Sequence, residues 1–253
     1  MFKKPKLSKE KDTNNIEFIC KIPYLKDIEE IQPKPASSYI PEWWRKIPYA
    51  TDIEENRLRP ETLMARRCPS FPDYFSNGFI LPMWADTTLY HDSKTGDWRW
   101  RCGNILNSQF KIHLFEKERF QDYGSTYFNG KRASSIWQLI NPWIIKTPPE
   151  YFVLQLPLLF HESTEFATFP GTYDPNAVST DKLELGLYVD NKEIFIKRGT
   201  PLVQYIPYKK EKFNLIIRDI NEKDLEFENK KMTLKSTVFN LEYNKLKGKD
   251  FNI

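Results

Sequence analysis

The sequence predicts a mainly β protein, an antiparallel sandwich or barrel with short helices and one longer amphipathic helix near the C-terminus. Three observations lead there. First, short runs of period two recur between turn residues, as where Leu183, Leu185, Leu187 and Val189 alternate with Lys182, Glu184 and Tyr188. Second, 18 Pro stand against only 9 Gly, with 7 Trp, 13 Tyr and 18 Phe, which suits short strands and stiff corners better than a Gly-rich nucleotide loop. Third, Trp137 to Phe160 holds two apolar β-type runs that meet at Lys146-Thr147-Pro148-Pro149. Proline fixes φ and has no N–H to give a ladder, so that break reads as a rigid corner.

In the second of these runs Phe152, Leu154, Leu156, Leu158 and Phe160 share one face, and Tyr151, Val153, Gln155, Pro157 and Leu159 the other. Neither face is plainly polar, the mark of a strand covered on both sides. Phe152, Leu154 and Leu156 are expected to be buried, and Lys182 and Glu184 exposed.

Earlier in the chain, residues 1–15 read as a mobile basic arm. Ile16, Phe18, Cys20 and Ile22 alternate with Glu17 and Lys21 as a half-buried strand. Prolines at 23, 33, 35, 41 and 48 forbid a long helix there, but Ser37 to Trp44 can open a short one. Pro60 to Arg67 suggests another. Phe79 to Tyr90 and Asp97 to Cys102 read as a hairpin around His91 to Gly96, with Trp98, Trp100 and Cys102 on one face and Arg99 and Arg101 on the other. Phe110, Ile112 and Leu114 mark a further strand, and 121–135 an exposed connection. Asp190-Asn191 turns the chain into Ile194 to Ile196, and Lys197 to Pro201 turns it into Leu202 to Pro207. From Asp224 to Lys247, Met232, Leu234, Val238 and Leu241 recur at helical spacing and are expected to cover the β body. The expected organisation is thus the arm 1–15, one β-rich domain over 16–220 and a helical segment over 221–253.

A chain of 253 residues can bury a core without metal or disulfide staples. Its net charge of +4, from 38 basic and 34 acidic residues, does not mark a nucleic-acid binder. Cys20, Cys68 and Cys102 form no Cys-x-x-Cys pair, and so sparse an odd set favours reduced thiols in a cytosol. No apolar run approaches the ~20 residues of a membrane span, and Met-Phe-Lys-Lys-Pro-Lys is followed by no apolar leader core. A cytoplasmic protein without a membrane partner is expected.

The stretch Ile140 to Pro149 (Ile-Asn-Pro-Trp-Ile-Ile-Lys-Thr-Pro-Pro) resembles an uncharacterised family of tailed phages and some bacteria. The likeness extends to Arg67 to Phe71, Gly78 to Trp84 and Gly199 to Gln204, and so covers roughly residues 37–210. It implies a phage-type accessory protein acting in a host cytoplasm. A weaker likeness over 149–207 is to dUTPase-type β-clip proteins, carried by Pro149 to Leu154, Gly171 to Asp174 and Ile196 to Ile206. It implies that Asp174 takes the place of the aspartate beside the sugar and the attacking water, as the one candidate catalytic residue, and that Gln204 takes its place in the turn that packs the sheet. Leu158-Leu159-Phe160-His161 stands where that family carries Arg-Ser-Ser for phosphate, and the Gly-rich phosphate lid is absent, so the fold carries over more readily than the chemistry.

The candidate ligand residues are Arg99, Asn141, Trp143, Tyr173, Asp174 and Gln204. Tyr173-Asp174 offers a ring to stack on and a carboxylate to accept hydroxyls, expected on a turn near Asn141, Trp143 and Gly199-Thr200. Trp98-Arg99-Trp100-Arg101 interleaves rings and cations as base-stacking surfaces do, although strand alternation favours Trp packed inward and Arg in solvent. Asn141, polar in an apolar run, needs partners in the corner or in a ligand. His91-Asp92 and His161-Glu162 place acids next to His, so on a strand they point apart, against a His-x-Asp iron site; His113 reads as a solvated face residue. Arg66-Arg67-Cys68 would lower a thiol pKa if the guanidiniums faced it, against a buried thiol in a corner. No Gly-x-Ser-x-Gly elbow occurs. The expected function is a ligand- or partner-binding module with no cofactor and no bound metal, possible as a homo-oligomer. The alternatives are a dUTPase-like nucleotide-binding protein or hydrolase, and a metal-dependent oxygenase of double-stranded β-helix type.

Overall fold

Where apolar and polar residues alternate, the chain becomes strand, and where Pro, Gly and Asx residues interrupt, it turns. The structure is a computed structural model that describes residues 15–47, 68, 70–103, 112–114, 127–128, 131–132, 135–161, 165–188 and 193–237. It divides into two units. One takes the described residues of Met1–Tyr39 and Asn77–Lys210, the other those of Ile40–Ser76 and Glu211–Ile253. The first unit contains the β body, and the second contains the described residues of 40–76 and those after Lys210.

In the β body, β1 (Glu17–Cys20) turns Phe18 and Cys20 toward the core and Ile19 outward. Two 3-10 turns, Pro23–Asp27 and Glu29–Ile31, bury Leu25 and Ile31 before β2 (Lys34–Pro35). The expected strand from Phe79 to Tyr90 is two strands, β3 (Phe79–Pro82) and β4 (Thr87–Asp92), and β4 pairs with β5 (Asp97–Cys102) as the predicted hairpin. Gly96, at φ +75°, closes it: its N–H donates to Asp92 O at 2.8 Å, and Lys94 N–H donates to Asp92 Oδ1 at 3.0 Å. β6 (Ile112–Leu114), β7 (Tyr127–Phe128) and β8 (Lys131–Arg132) follow, β7 and β8 pairing with each other.

The first apolar run of the centre is also two strands, β9 (Ser135–Ile140) and β10 (Trp143–Lys146), because Asn141-Pro142 breaks it. After the Pro148-Pro149 corner comes β11 (Tyr151–Pro157), then β12 (Phe166–Thr168), β13 (Gly171–Tyr173), β14 (Lys182–Leu187), β15 (Ile194–Ile196) and β16 (Pro201–Lys209). The strands form antiparallel sheets in the orders β13-β11-β16-β3-β2, β12-β14-β9-β6 and β15-β4-β5, with β1 on β10. No barrel closes among the described residues, and the architecture is sandwich-like. One core joins the sheets: Leu81, Val153, Val203 and Tyr205 from the first, Trp137, Leu139 and Leu185 from the second, Leu89 and Ile196 from the third. Gly78 enters β3 at φ +74°, where a Cβ would lie 2.1 Å from Tyr205 O. Only glycine fits that approach.

The buried face of β11 is the reverse of the one expected. Val153, Gln155 and Pro157 are buried, whereas Phe152, Leu154 and Leu156 are half-buried. Gln155 goes inward with its Nε2 donating to Phe169 O at 2.6 Å, while its Oε1 has no partner among the described residues. Phe152 instead stays near the surface beside Tyr208 and under the Lys210 ammonium, 4.7 Å from its ring centre. On β14, Leu183, Leu185 and Leu187 are buried and Lys182 is exposed as expected, while Glu184 is half-buried. Phe110, Val189 and the expected helix from Pro60 to Arg67 lie outside the described residues.

The second unit contains α1 (Glu42–Lys46), α2 (Ser70–Ser76) and α3 (Glu222–Thr237). Trp44 packs its ring 4.7 Å from that of Phe71 and 5.3 Å from that of Phe75, while Trp43 meets Trp44 edge-on. α3 begins in a capping box: Asp224 N–H donates to Asn221 Oδ1 and Asn221 N–H to Asp224 Oδ2, both at 3.0 Å. Arg218 clasps the same carboxylate through both terminal nitrogens and holds it below its ordinary pKa. In the first half of α3, Leu225 and Phe227 are both exposed, and two residues apart on a helix they point to opposite sides. The side chains of Met232 and Leu234, and Val238 and Leu241 altogether, lie outside the described residues.

Candidate functional site

The sequence-predicted residues fall at four places in the β body. The first is the corner around Asn141, and it is held entirely by the chain itself. Asn141 N–H donates to Asp181 O at 2.8 Å, its Nδ2 to Thr180 O at 3.2 Å, and its Oδ1 accepts Trp143 N–H at 2.8 Å. Ile145 N–H donates to Thr180 Oγ1, and Thr147 Oγ1 donates to Tyr151 O while receiving Asn176 Nδ2. The segment 174–181 is thereby laid along β10. Asp174 starts it: its Oδ1 accepts Asn176 N–H at 3.0 Å and its carbonyl accepts the N–H of Ala177 and Val178. That is an Asx turn, a structural use of the carboxylate. Lys21 pins the far end through an ion pair to Asp181 at 2.7 Å. Desolvation raises the Asp181 carboxyl, but the hydrogen bonds from Lys21 and Ser179 and the Lys21 charge outweigh it and leave the pKa below its usual value. Trp143 is buried in the core, its indole N–H without a partner among the described residues.

The second place is a half-buried polar group around Tyr173. Tyr173 has its phenol pushed up to about 12 by burial and by the charge of Glu184, against a hydrogen bond from Gln155. Tyr205, fully buried, is raised further by burial, with Tyr173 and Glu184 adding to it. Glu184 accepts Gln138 Nε2 at 3.0 Å. Tyr173 is thus engaged in the body, away from Gly199-Thr200. Val153 faces both Tyr173 and Pro207, and Pro207 lies seven residues, roughly 23 Å, along β16 from Thr200. The expected meeting of Tyr173-Asp174 with that turn does not occur.

Gln204 and Arg99 lie elsewhere. Gln204 is buried and donates Nε2 to Asn77 O at 2.6 Å, tying β16 to the turn before β3. Arg99 is half in solvent, with Nε 3.4 Å from Asp92, and Arg101 covers the Tyr90 ring at 4.7 Å. Trp98 and Trp100 pack on the core, Trp98 edge-on to Trp137. The hairpin is a packed Trp face and a solvated Arg face. His113 is exposed. None of the three cysteines is paired. Among the described residues no three His, Cys, Asp or Glu side chains converge as a metal would require, and no helix is long and apolar enough to cross a membrane.

Comparison with family models, with curated proteins and with solved structures finds no match.

Two features outside the candidate ligand residues remain, and they are the ones with surface to offer. A cavity of about 260 Å³ opens where β11 ends, lined by Leu158, Leu159, Phe160 and His161, with Phe166 and Ala167 of β12 and Pro201 and Leu202 of β16. Leu159 and Phe160 form its exposed apolar rim, and Phe160 holds φ +67°. His161 is its one titratable lining residue, and burial lowers its pKa, so the imidazole is neutral near pH 7. The other feature is residues 211–220, a segment in neither helix nor strand. Phe213, Leu215, Ile216 and Ile217 are 84, 86, 77 and 87 % exposed, and Ile220 is exposed as well. The run Phe-Asn-Leu-Ile-Ile-Arg-Asp-Ile was legible as an apolar segment behind the charged Lys209-Lys210-Glu211-Lys212. A count of apolar residues past the last strand would have found it.

Proposed function

We propose that the chain is a β-rich binding module that engages a macromolecular partner through the segment Phe213 to Ile220. The observation that carries this reading is the exposure of five large apolar side chains within eight residues. A soluble protein rarely leaves so dense an apolar run in water, and such runs mark interaction surfaces. The segment is also prepared for a partner. It is followed by a helix whose first turn is fixed by the Asn221–Asp224 box and the Arg218 clasp, so less ordering is needed on binding. The resemblance to a tailed-phage family fits a protein that works within an assembly, in a host cytoplasm. The dUTPase-like alternative draws less support, because Asp174 is spent on its own turn. The test is a photo-crosslinking amino acid at Leu215 of the full chain, irradiated both in purified protein and in extract of the source cells. One discrete crosslinked species in either setting is expected. A diffuse smear or no adduct in both would remove the reading.

A further inference from the structure

Three observations meet at the cavity between the end of β11, β12 and the start of β16, all within the first unit. The first is size. About 150 Å³ of apolar space suffices to hold a benzene ring, so about 260 Å³ lined by Leu158, Phe166 and Leu202 admits one aromatic ring with a short substituent. The second is an unused hydrogen-bonding group. His161 lines this space half-buried, and among the described residues it makes no hydrogen bond. Its imidazole, neutral near pH 7, still carries one donor and one acceptor. The third is backbone strain. Phe160 holds φ +67° at the rim, a region that suits glycine and that a bulky side chain rarely adopts. Its ring is 48 % exposed, so burial in the core does not offset that strain. Strain kept without a packing reason is found at ligand sites.

We propose that this cavity binds a small, uncharged aromatic molecule bearing a hydroxyl, with its ring against Leu158, Phe166 and Leu202 and its hydroxyl on the His161 imidazole. The site is separate from the segment after Lys210 and stands or falls without it. Apolar walls with one placed polar group are the usual make-up of a small-molecule pocket, the walls giving affinity and the polar group orientation. A phenolic hydroxyl suits a neutral imidazole, because it can donate to the bare ring nitrogen or accept from the ring N–H.

The same lining argues against other ligands. No lysine or arginine lines the cavity among the described residues, so a carboxylate or phosphate would be desolvated there without a counter-charge. A plain hydrocarbon would fill the space but leave the imidazole without a partner, and a buried polar group left unpaired costs affinity. The phenol is that of a free molecule. A tyrosine side chain presents the same group, and the experiment separates the two.

The experiment is a titration of the full chain at pH 7 with p-cresol, toluene, benzoate and N-acetyltyrosine amide, followed by the NMR signals of the His161 ring. p-Cresol is expected to bind with a Kd on the order of 0.1–1 mM, as a ligand of its size does. Toluene, which lacks only the hydroxyl, should bind roughly ten-fold more weakly, the worth of one hydrogen bond. Benzoate should not bind, and N-acetyltyrosine amide should bind more weakly than p-cresol. His161→Leu keeps the space apolar, so p-cresol should fall to the affinity of toluene while toluene is unchanged. Phe160→Gly relieves the positive φ and removes the rim ring, so it should melt no lower than wild type and yet bind p-cresol less tightly. Ala167→Phe fills the cavity and should abolish binding; should it not fold, the other two variants still decide. No shift of the His161 signals at ~10 mM p-cresol, equal affinity for p-cresol and toluene, or p-cresol binding unchanged in His161→Leu overturns the proposal. Tighter binding of N-acetyltyrosine amide than of p-cresol overturns it too, because the phenol would then belong to a polypeptide.

Discussion

At the scale of single residues, Asn141 is fixed by three hydrogen bonds that all end on the chain itself. Asn141→Ala leaves the buried Thr180 carbonyl and Trp143 amide without those partners, which should cost about 2 kcal/mol in urea unfolding. Gly78 and Gly96 both have positive φ, but only at Gly78 does an added Cβ run into backbone. Gly78→Ala should therefore destabilise by clearly more than ~1 kcal/mol, and Gly96→Ala by less, where no atom stands within 4 Å. For His161 the sign follows from burial, which lowers the folded-state pKa. The unfolded chain then binds the proton at higher pH than the folded one does. Its contribution is complete above about pH 6.5 and is lost as pH falls through the folded-state pKa. The acid limb of stability against pH should be shallower in His161→Gln. The sequence marked Asn141 as needing partners but could not say whether they were backbone or ligand, because the Thr180 and Asp181 carbonyls that satisfy it lie some forty residues away. It expected Tyr173 and Asp174 on a turn, but the use of the Asp174 carboxylate depends on the N–H of Asn176, which no spacing rule singles out.

At the scale of elements, the hairpin of β4 and β5, the β14 alternation and the corner after β10 were all legible, since period two and turn chemistry are local. The inward face of β11 was not. Its two faces are both largely apolar, so the choice fell to hydrogen bonding, and Gln155 found the Phe169 carbonyl on the inner side. Val153→Ala, at a fully buried site, should cost roughly 2 kcal/mol, and Leu154→Ala should cost less than its larger side chain would suggest. Equal unfolding midpoints for wild type and Val153→Ala would contradict the observed register. The helical segment was expected over 221–253, and the Asn221-x-x-Asp224 box sets the start of α3 at Glu222. Asn221→Ala should remove ~1 kcal/mol of helix stability, read as lost helicity by circular dichroism.

At the scale of the whole molecule, the β body and the segment after Lys210 obey different physics. The body buries one core drawn from several sheets, and its strands follow from patterns that any folded β domain must show. The segment breaks the same rule, because its apolar residues are left in water, and a reading that assigns apolar residues to cores passes over such a stretch. That exception gives the last prediction. The triple change of Phe213, Leu215 and Ile217 to Ser removes little that is buried in a single copy, so at nanomolar concentration its melting temperature should equal that of wild type. Any partner that binds only the folded chain adds stability by mass action, so the wild-type melting temperature should rise when the protein that Leu215 crosslinks is added. In the triple variant that rise should vanish. Binding of an apolar dye at low concentration should also fall, because the largest exposed apolar run is gone. If the variant melts well below wild type even when dilute, the segment is part of the fold of one copy, and its exposed side chains have a structural task inside the monomer.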